Sequence, residues 1–407
     1  MINYFTSRKT ILIIFPILSL ILAFLIQEDL STGGSKNDFI RTFPTVIDLS
    51  NFVFDRTNEY TRHFPLHYYL LSIPQLIFDN IFITKLIYFC FSLLFPYLIY
   101  LNISKIYPTE KFNALLIATS LMFLPFYRAS VVWPNAHLTA LIFLLISNYF
   151  YLINQNSEKF IYKFINLFFL ALSTYCMQSY AIFFLFYIFH YYQNNLINSF
   201  LYLAFSCFLF SIPGFYMLIY YSAGSKLKFS YDVSYTLTTN FSIIFFCFLL
   251  FLINKKSFNE IKKRIIDLNK VALSIFFLFF LILVSFFENN ADSGGGFFFK
   301  LSNFLFNNNI FFYFTALLGM IIFYFSYQID KKIFYIIVLC NFTAIGYATS
   351  QKYFEPLLIV LIFILNKNFF SKNIITNNFN SLTFYFLCFS YFVVALFNNK
   401  YGLSLSF

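Results

Sequence analysis

Asp38 follows the run Gly33-Gly34-Ser35-Lys36-Asn37 and opens a stretch, Phe39–Phe54, whose apolar residues Phe39, Ile40, Phe43, Ile47 and Phe54 recur near helical spacing. That pattern predicts a mildly amphipathic helix lying along a membrane plane. A carboxylate at the start of such a helix feels the positive end of its dipole and stays ionised, which suits a base. The plainer role for an Asp there is an ordinary helix cap. Asp38 belongs to Gln27–Phe64, a polar loop that holds six of the sixteen acidic residues (Glu28, Asp29, Asp38, Asp48, Asp55, Glu59) and three arginines, Arg41, Arg56 and Arg62. Asp48, Asp55 and Glu59 read as solvated groups or as ion-pair partners of Arg56 and Arg62.

Two of the four histidines lie where this loop returns to apolar sequence, in Arg62-His63-Phe64-Pro65-Leu66-His67-Tyr68-Tyr69-Leu70-Leu71. The i,i+4 spacing of His63 and His67 suits one helical face, but Pro65 predicts a helix that begins only after His63. Without a HExxH context or a carboxylate partner, hydrogen bonding to a phosphate or sugar is favoured over a metal pair. A third histidine, His137, ends the segment Arg128-Ala129-Ser130-Val131-Val132-Trp133-Pro134-Asn135-Ala136-His137, which holds the single Trp. Trp133 reads equally as an interface anchor or, with Asn135 and His137, as a platform for stacking a sugar. A last polar segment, Ser350-Gln351-Lys352-Tyr353-Phe354-Glu355-Pro356, caps a late apolar run. Lys352 is a point charge suited to a phosphate, as are Arg41, Arg62 and Arg128, or else a snorkelling anchor. Tyr353 and Glu355 join it as substrate-binding candidates. Gly294-Gly295-Gly296 reads as a hinge.

The elements that must hold these residues are set by composition. The chain has 407 residues, is 60% hydrophobic and 11% charged, and has a mean hydropathy of +0.74. Long apolar runs recur from end to end, which predicts an all-α polytopic membrane protein with about 11 to 13 membrane segments by span length. The runs do not alternate, which excludes a β-barrel. The whole of 1–407 reads as one integral membrane domain without a soluble one. The formal charge of +11 comes largely from short basic loops between runs and does not imply nucleic acid. The six cysteines lie within apolar runs with no CxxC spacing and read as small core residues. Nothing calls for a cofactor or a metal.

Arg8 and Lys9 before Thr10–Ile26, with no small-x-small site after it, predict an uncleaved first span with a cytoplasmic N-terminus. Charge then assigns Ser104–Lys111, Asn154–Lys163, Tyr191–Asn198, Asn254–Lys270, Asp330–Lys332 and Asn366–Asn380 to the cytoplasmic side. Gln27–Phe64, Tyr127–Asn135, Ser222–Thr239, Glu288–Asn309 and Ser350–Glu355 fall on the other side, as does the C-terminus. A bacterial-type inner membrane is the expected location. Two stretches break the simple count. Leu66–Ile103, with Pro74, Asp79-Asn80 and Pro96, predicts a short half-helix followed by a full span. Phe164–Phe189, interrupted by Ser173-Thr174-Tyr175-Cys176-Met177-Gln178-Ser179, predicts two short helices that meet.

Over about the first 190 residues this arrangement resembles the GT-C superfamily of membrane glycosyltransferases. The resemblance rests on the long acidic loop after the first span, the return element Pro65-Leu66-His67-Tyr68-Tyr69-Leu70-Leu71, the basic loop at Lys105–Lys111 and the span ending Leu124-Pro125-Phe126-Tyr127-Arg128. It implies transfer of a sugar from a polyprenyl-phosphate donor to a glycan or lipid acceptor outside the cytoplasm, with inversion. Asp38 would be the general base, and Arg62, Arg128 or Lys352 would neutralise the leaving phosphate. The chain departs from the superfamily pattern in lacking an adjacent Asp-Glu or Glu-x-Asp pair within the helix-forming part of the loop. A surface-polysaccharide polymerase or ligase is a second reading, although the outer loops after residue 200 carry no Arg. A lipid-linked oligosaccharide flippase is a third, although nearly all charges lie at the ends of apolar runs.

Overall fold

In a bilayer the backbone N–H and C=O groups of a spanning segment must be satisfied without water, so apolar runs of this length fold as helices. The computed structural model describes residues 2–30, 34–51, 64–157, 159–193, 197–220, 233–252, 259, 262–263, 270–287, 296–343 and 351–401, and every regular element among them is helical. The chain divides into two compact units, Met1–Lys228 and Phe229–Phe407. Among the described residues five stretches are long and apolar enough to cross a membrane: Ile81–Ile106, Ala136–Gln155, Val233–Phe251, Ile310–Ile329 and Asn378–Phe397. Two bent pairs, Lys111–Phe123 with Pro125–Val132 and Gln351–Ile364 with Phe369–Ile375, raise the number to seven if each is one span. Shorter apolar helical stretches, of 10–17 residues, include Thr10–Leu25, Phe160–Cys176, Leu203–Phe215 and Ser274–Ser285.

Unit 1 comprises α1 (Ile2–Leu25), α2 (Gly34–Ser50), α3 (Leu66–Phe78), α4 (Ile81–Ser92), α5 (Leu94–Ile106), α6 (Lys111–Ser120), α7 (Pro125–Val132), α8 (Ala136–Ser157), α9 (Phe160–Cys176), α10 (Ile182–Gln193) and α11 (Ile197–Tyr220). Its breaks have local causes. Asp79 ends α3 at φ 44°, in the left-handed region that Asn and Asp tolerate best after Gly. Asn80 then caps α4, its side-chain oxygen accepting from Phe82 N at 2.8 Å and Ile83 N at 3.2 Å. Pro125 keeps Leu124 out of the helical region (φ −60°, ψ 127°), and the chain bends by 68° there before α7 begins. After α9 the backbone is extended at Met177, and one 3₁₀ turn, Gln178–Ala181, leads into α10.

Polar side chains tie this unit together where helices face helices. Asn166 Nδ2 on α9 donates to Ser147 O and Oγ on α8, both at 2.8 Å, while Ser147 Oγ donates to Asn166 O at 2.9 Å. Tyr191 of α10 completes the knot through Asn166 Oδ1 at 3.1 Å. A parallel chain runs from Tyr187 to Asn148 Oδ1 at 3.0 Å and from Asn148 to Asn102 Oδ1 at 2.9 Å. Such contacts matter because apolar burial gives little drive between helices already surrounded by hydrocarbon.

Unit 2 comprises α12 (Val233–Leu252), α13 (Lys270–Ser285), α14 (Gly296–Phe306), α15 (Ile310–Ile329), α16 (Lys331–Thr343), α17 (Gln351–Ile364), α18 (Phe369–Ile375) and α19 (Asn378–Tyr401). Its centre is α17, buried at every position from Phe354 to Ile364. The chain bends by 77° after α17, where Asn368 and Ser371 form a capping box at the start of α18. Helices α12 and α15 meet at Gly319, where a Cβ would lie 2.6 Å from the Phe241 carbonyl carbon. Ser242 and Thr315 share a hydrogen bond of 2.9 Å across the same seam. Gly296 has φ +74°, and a Cβ there would sit 3.1 Å from Gln351 Oε1. This glycine therefore starts α14 in close contact with α17 rather than serving as a free hinge.

Candidate functional site

Helix α2 begins at Gly34, one turn earlier than the apolar spacing predicts. Seven positions upstream, Asp29 Oδ2 accepts a hydrogen bond from Lys36 N at 3.0 Å and so holds the first turn. Asp38 consequently lies inside the helix, half-buried, and not at its dipole end. Phe39, Phe43 and Val46 form the buried face, while Ile40, Ile47 and Arg41 are exposed. The apolar residues thus split between two faces of α2, one on protein and one open. Phe39 stacks on Phe43 (5.1 Å between ring centroids) and meets Trp133 at 6.0 Å.

Trp133 is the hub of this corner. It follows α7, and its indole Nε1 donates to Glu28 O at 3.1 Å. Lys85 of α4 places its ammonium 3.5 Å from the centroid of the Trp133 ring, and Lys36 of α2 approaches the same ring at 5.6 Å. Lys85 also hydrogen-bonds Gln27 Oε1 and lies 5.9 Å from the Phe39 ring. Among the described residues neither ammonium has a carboxylate within ion-pair distance. Lys85 is only 4% exposed. Two like charges converging on one indole, one of them buried, favour an anion beside them electrostatically.

Arg128 takes a different position from the one a phosphate ligand requires. It is 1% exposed, with Nε 2.8 Å from Glu28 Oε1 and Nη2 3.1 Å from Glu28 Oε2. It also donates to Ser19 of α1, from Nη1 to Oγ and from Nη2 to O, each at 3.0 Å. The guanidinium therefore pins α7 to α1 and to the start of the acidic loop.

His67 and Tyr68 are both buried in α3, their rings 5.3 Å apart, and His67 joins a separate network. His67 Nδ1 lies 2.8 Å from Thr139 Oγ1, and Tyr88 OH lies 3.1 Å from the same oxygen. Tyr88 also donates to Asn135 O at 2.9 Å. Asn135 Oδ1 accepts from His137 N at 2.9 Å, so the Trp133–His137 segment links the two networks through its backbone. The His137 ring meets Tyr180 edge-on at 6.2 Å. Arg62 and His63 lie outside the described residues.

In unit 2, Lys352 sits 4.9 Å from the Tyr353 ring, and Glu355 is buried. Glu355 Oε2 accepts from Gln351 Nε2 at 2.6 Å and from Tyr391 OH at 3.2 Å.

Sequence reasoning missed Lys85, Lys36, Gln27, Glu28 and Tyr88. Lys85 carried a usable signal, since an ionisable residue inside an apolar run is a functional candidate by default. The pairing of Glu28 carried none, because its partners, Arg128 and Trp133, come from elements a hundred residues away. Comparison with protein families, with characterised proteins and with solved structures finds no match.

Proposed function

We propose that this chain is a membrane glycosyltransferase that moves a sugar from a polyprenyl-phosphate donor to an envelope glycan or lipid acceptor on the extracytoplasmic face. The observation that carries the reading is the convergence of Lys85 and Lys36 on Trp133, with Asp38 on the same helix as Lys36. The ammonium pair would neutralise the phosphate as it leaves. The indole edge and Phe39 would wall the sugar or the first prenyl unit. Asp38 would take the proton from the acceptor hydroxyl as that oxygen attacks the anomeric carbon, with inversion. Polyprenyl phosphate is already a good leaving group, so positioning and charge neutralisation are the main tasks. Arg128 contributes by fixing Glu28, and through it the carbonyl that holds Trp133, rather than by meeting the phosphate. On this reading the shorter apolar helices also cross the membrane. The acidic loop then faces the extracytoplasmic side, with the N-terminus cytoplasmic.

The test uses purified protein in lipid nanodiscs, a panel of polyprenyl-phosphate sugars and membrane glycolipid acceptors. Release of polyprenyl phosphate with one donor, lost in Asp38→Asn, is the expected result. Turnover that survives Asp38→Asn would remove the proposed base. No turnover with any donor, alongside tight binding of the lipid, would shift the reading to a flippase.

A further inference from the structure

Glu355 is an acid in the interior of unit 2 that the proposed transfer does not use. It is 4% exposed and lies near the start of α17, whose following residues are buried without exception. An ionised carboxylate in such a place needs a cation or several donors to offset its lost hydration, and a protonated one does not.

Among the described residues no cation lies within ion-pair distance of Glu355. Lys352, on the same helix, is placed at the Tyr353 ring. From α12 the facing titratable group is the Cys247 thiol, with Cys340 of α16 beside it. From α19 the facing groups are Tyr391 and, next to it, Cys388. Helix α14 approaches through its backbone, Phe297 N donating to Gln351 Oε1 at 2.5 Å, and its Lys300, one turn on, makes no ion pair with Glu355. The charged groups of α16 and α18 gather at the other end of α17. There Lys332 Nζ donates to Lys367 O at 3.4 Å, Asp330 accepts from Phe369 N at 3.1 Å, and Lys331 and Lys372 belong to the same helix ends.

The hydrogen bonds are also arranged asymmetrically. Both neutral donors, Gln351 Nε2 and Tyr391 OH, are on Oε2, and no donor among the described residues reaches Oε1. An ionised carboxylate would leave half of its buried charge, on Oε1, without a donor. A carboxylic acid has one carbonyl oxygen that accepts and one hydroxyl oxygen that carries hydrogen, which is the pattern here.

We propose that Glu355 is a proton-binding site in unit 2, loaded at neutral pH, with the proton on Oε1 and Oε2 held by Gln351 and Tyr391. Oε1 is the atom through which the proton enters and leaves. The site is independent of the sugar-transfer reading and stands or falls without it.

Infrared spectroscopy of the full chain in nanodiscs tests this directly. At neutral pH the wild type should show the carbonyl stretch of a protonated carboxyl that moves on exchange into D2O and fades as pH is raised. Glu355→Gln should lose that band. Tyr391→Phe, which removes one hydrogen bond to Oε2, should shift its frequency while keeping its intensity, so the assignment survives if Glu355→Gln does not fold. A wild-type spectrum without the band at neutral pH would overturn the proposal. So would a band unmoved by Tyr391→Phe, or one displaced by added sodium or potassium at constant pH, which would make the site a metal-cation site instead.

Discussion

Glu28 and Arg128 form a two-point ion pair, Nε to Oε1 at 2.8 Å and Nη2 to Oε2 at 3.1 Å, although they are 100 positions apart. The pair closes the acidic loop onto α7 at the one place where the Trp133 indole also meets the Glu28 carbonyl. Removing one partner leaves the other charge buried. Arg128→Met should therefore lower stability by about 3–5 kcal/mol, and the double change with Glu28→Leu should recover a large part of that loss. Thermal melting of the detergent-solubilised protein, run as a double-mutant cycle, measures both. A double variant no more stable than Arg128→Met would mean that the pair is not coupled.

Lys85→Met keeps the length of the side chain and removes its charge. On the proposed reading it should slow sugar transfer by about 10²–10³-fold, the effect of losing one group that stabilises a developing anion. Lys36→Met, at an exposed position, should cost less. Equal turnover in wild type and Lys85→Met, measured as polyprenyl phosphate released, would separate this cluster from catalysis.

Gly319 sets the spacing of α12 and α15. Gly319→Ala puts a methyl group against the Phe241 carbonyl, and the helices must separate to admit it. The expected loss is about 1–3 kcal/mol, the usual cost of overpacking, and it should be larger for Gly319→Leu. Melting temperature reads the difference, and an unchanged value for both variants would show that the seam opens freely.

The knot between Asn166 and Ser147 is expected to be worth less than the buried ion pair. Hydrogen bonds between membrane helices average about 0.6 kcal/mol each, with a maximum near 1.7, and Asn166 makes several. Asn166→Leu should destabilise unit 1 modestly, whereas Ser147→Ala alone should cost less. A loss for Asn166→Leu as large as that of Arg128→Met would show that the network does more than join two helices.

Some of this site could be read along the chain. The helix break at Asp79-Asn80 follows from local rules, since Asx residues take the left-handed turn and supply caps within three positions. The start of α2 could not be read this way, because it depends on Asp29 reaching Lys36 N across seven positions. Arg128 looked like an available charge for the same reason: its partner, Glu28, is invisible from its own neighbourhood.

The sequence by itself determined the class of the protein. Sustained hydropathy admits only helices in a bilayer, and Pro, Gly and Asx residues mark where those helices stop, because both effects act within a few residues. Which of the polar residues meet was decided only by the tertiary structure. The gathering of Lys36 and Lys85 at Trp133, the pairing of Glu28 with Arg128, and the enclosure of Glu355 by Gln351 and Tyr391 are set by helix packing. In an apolar medium each polar group must take whatever partner that packing brings within reach.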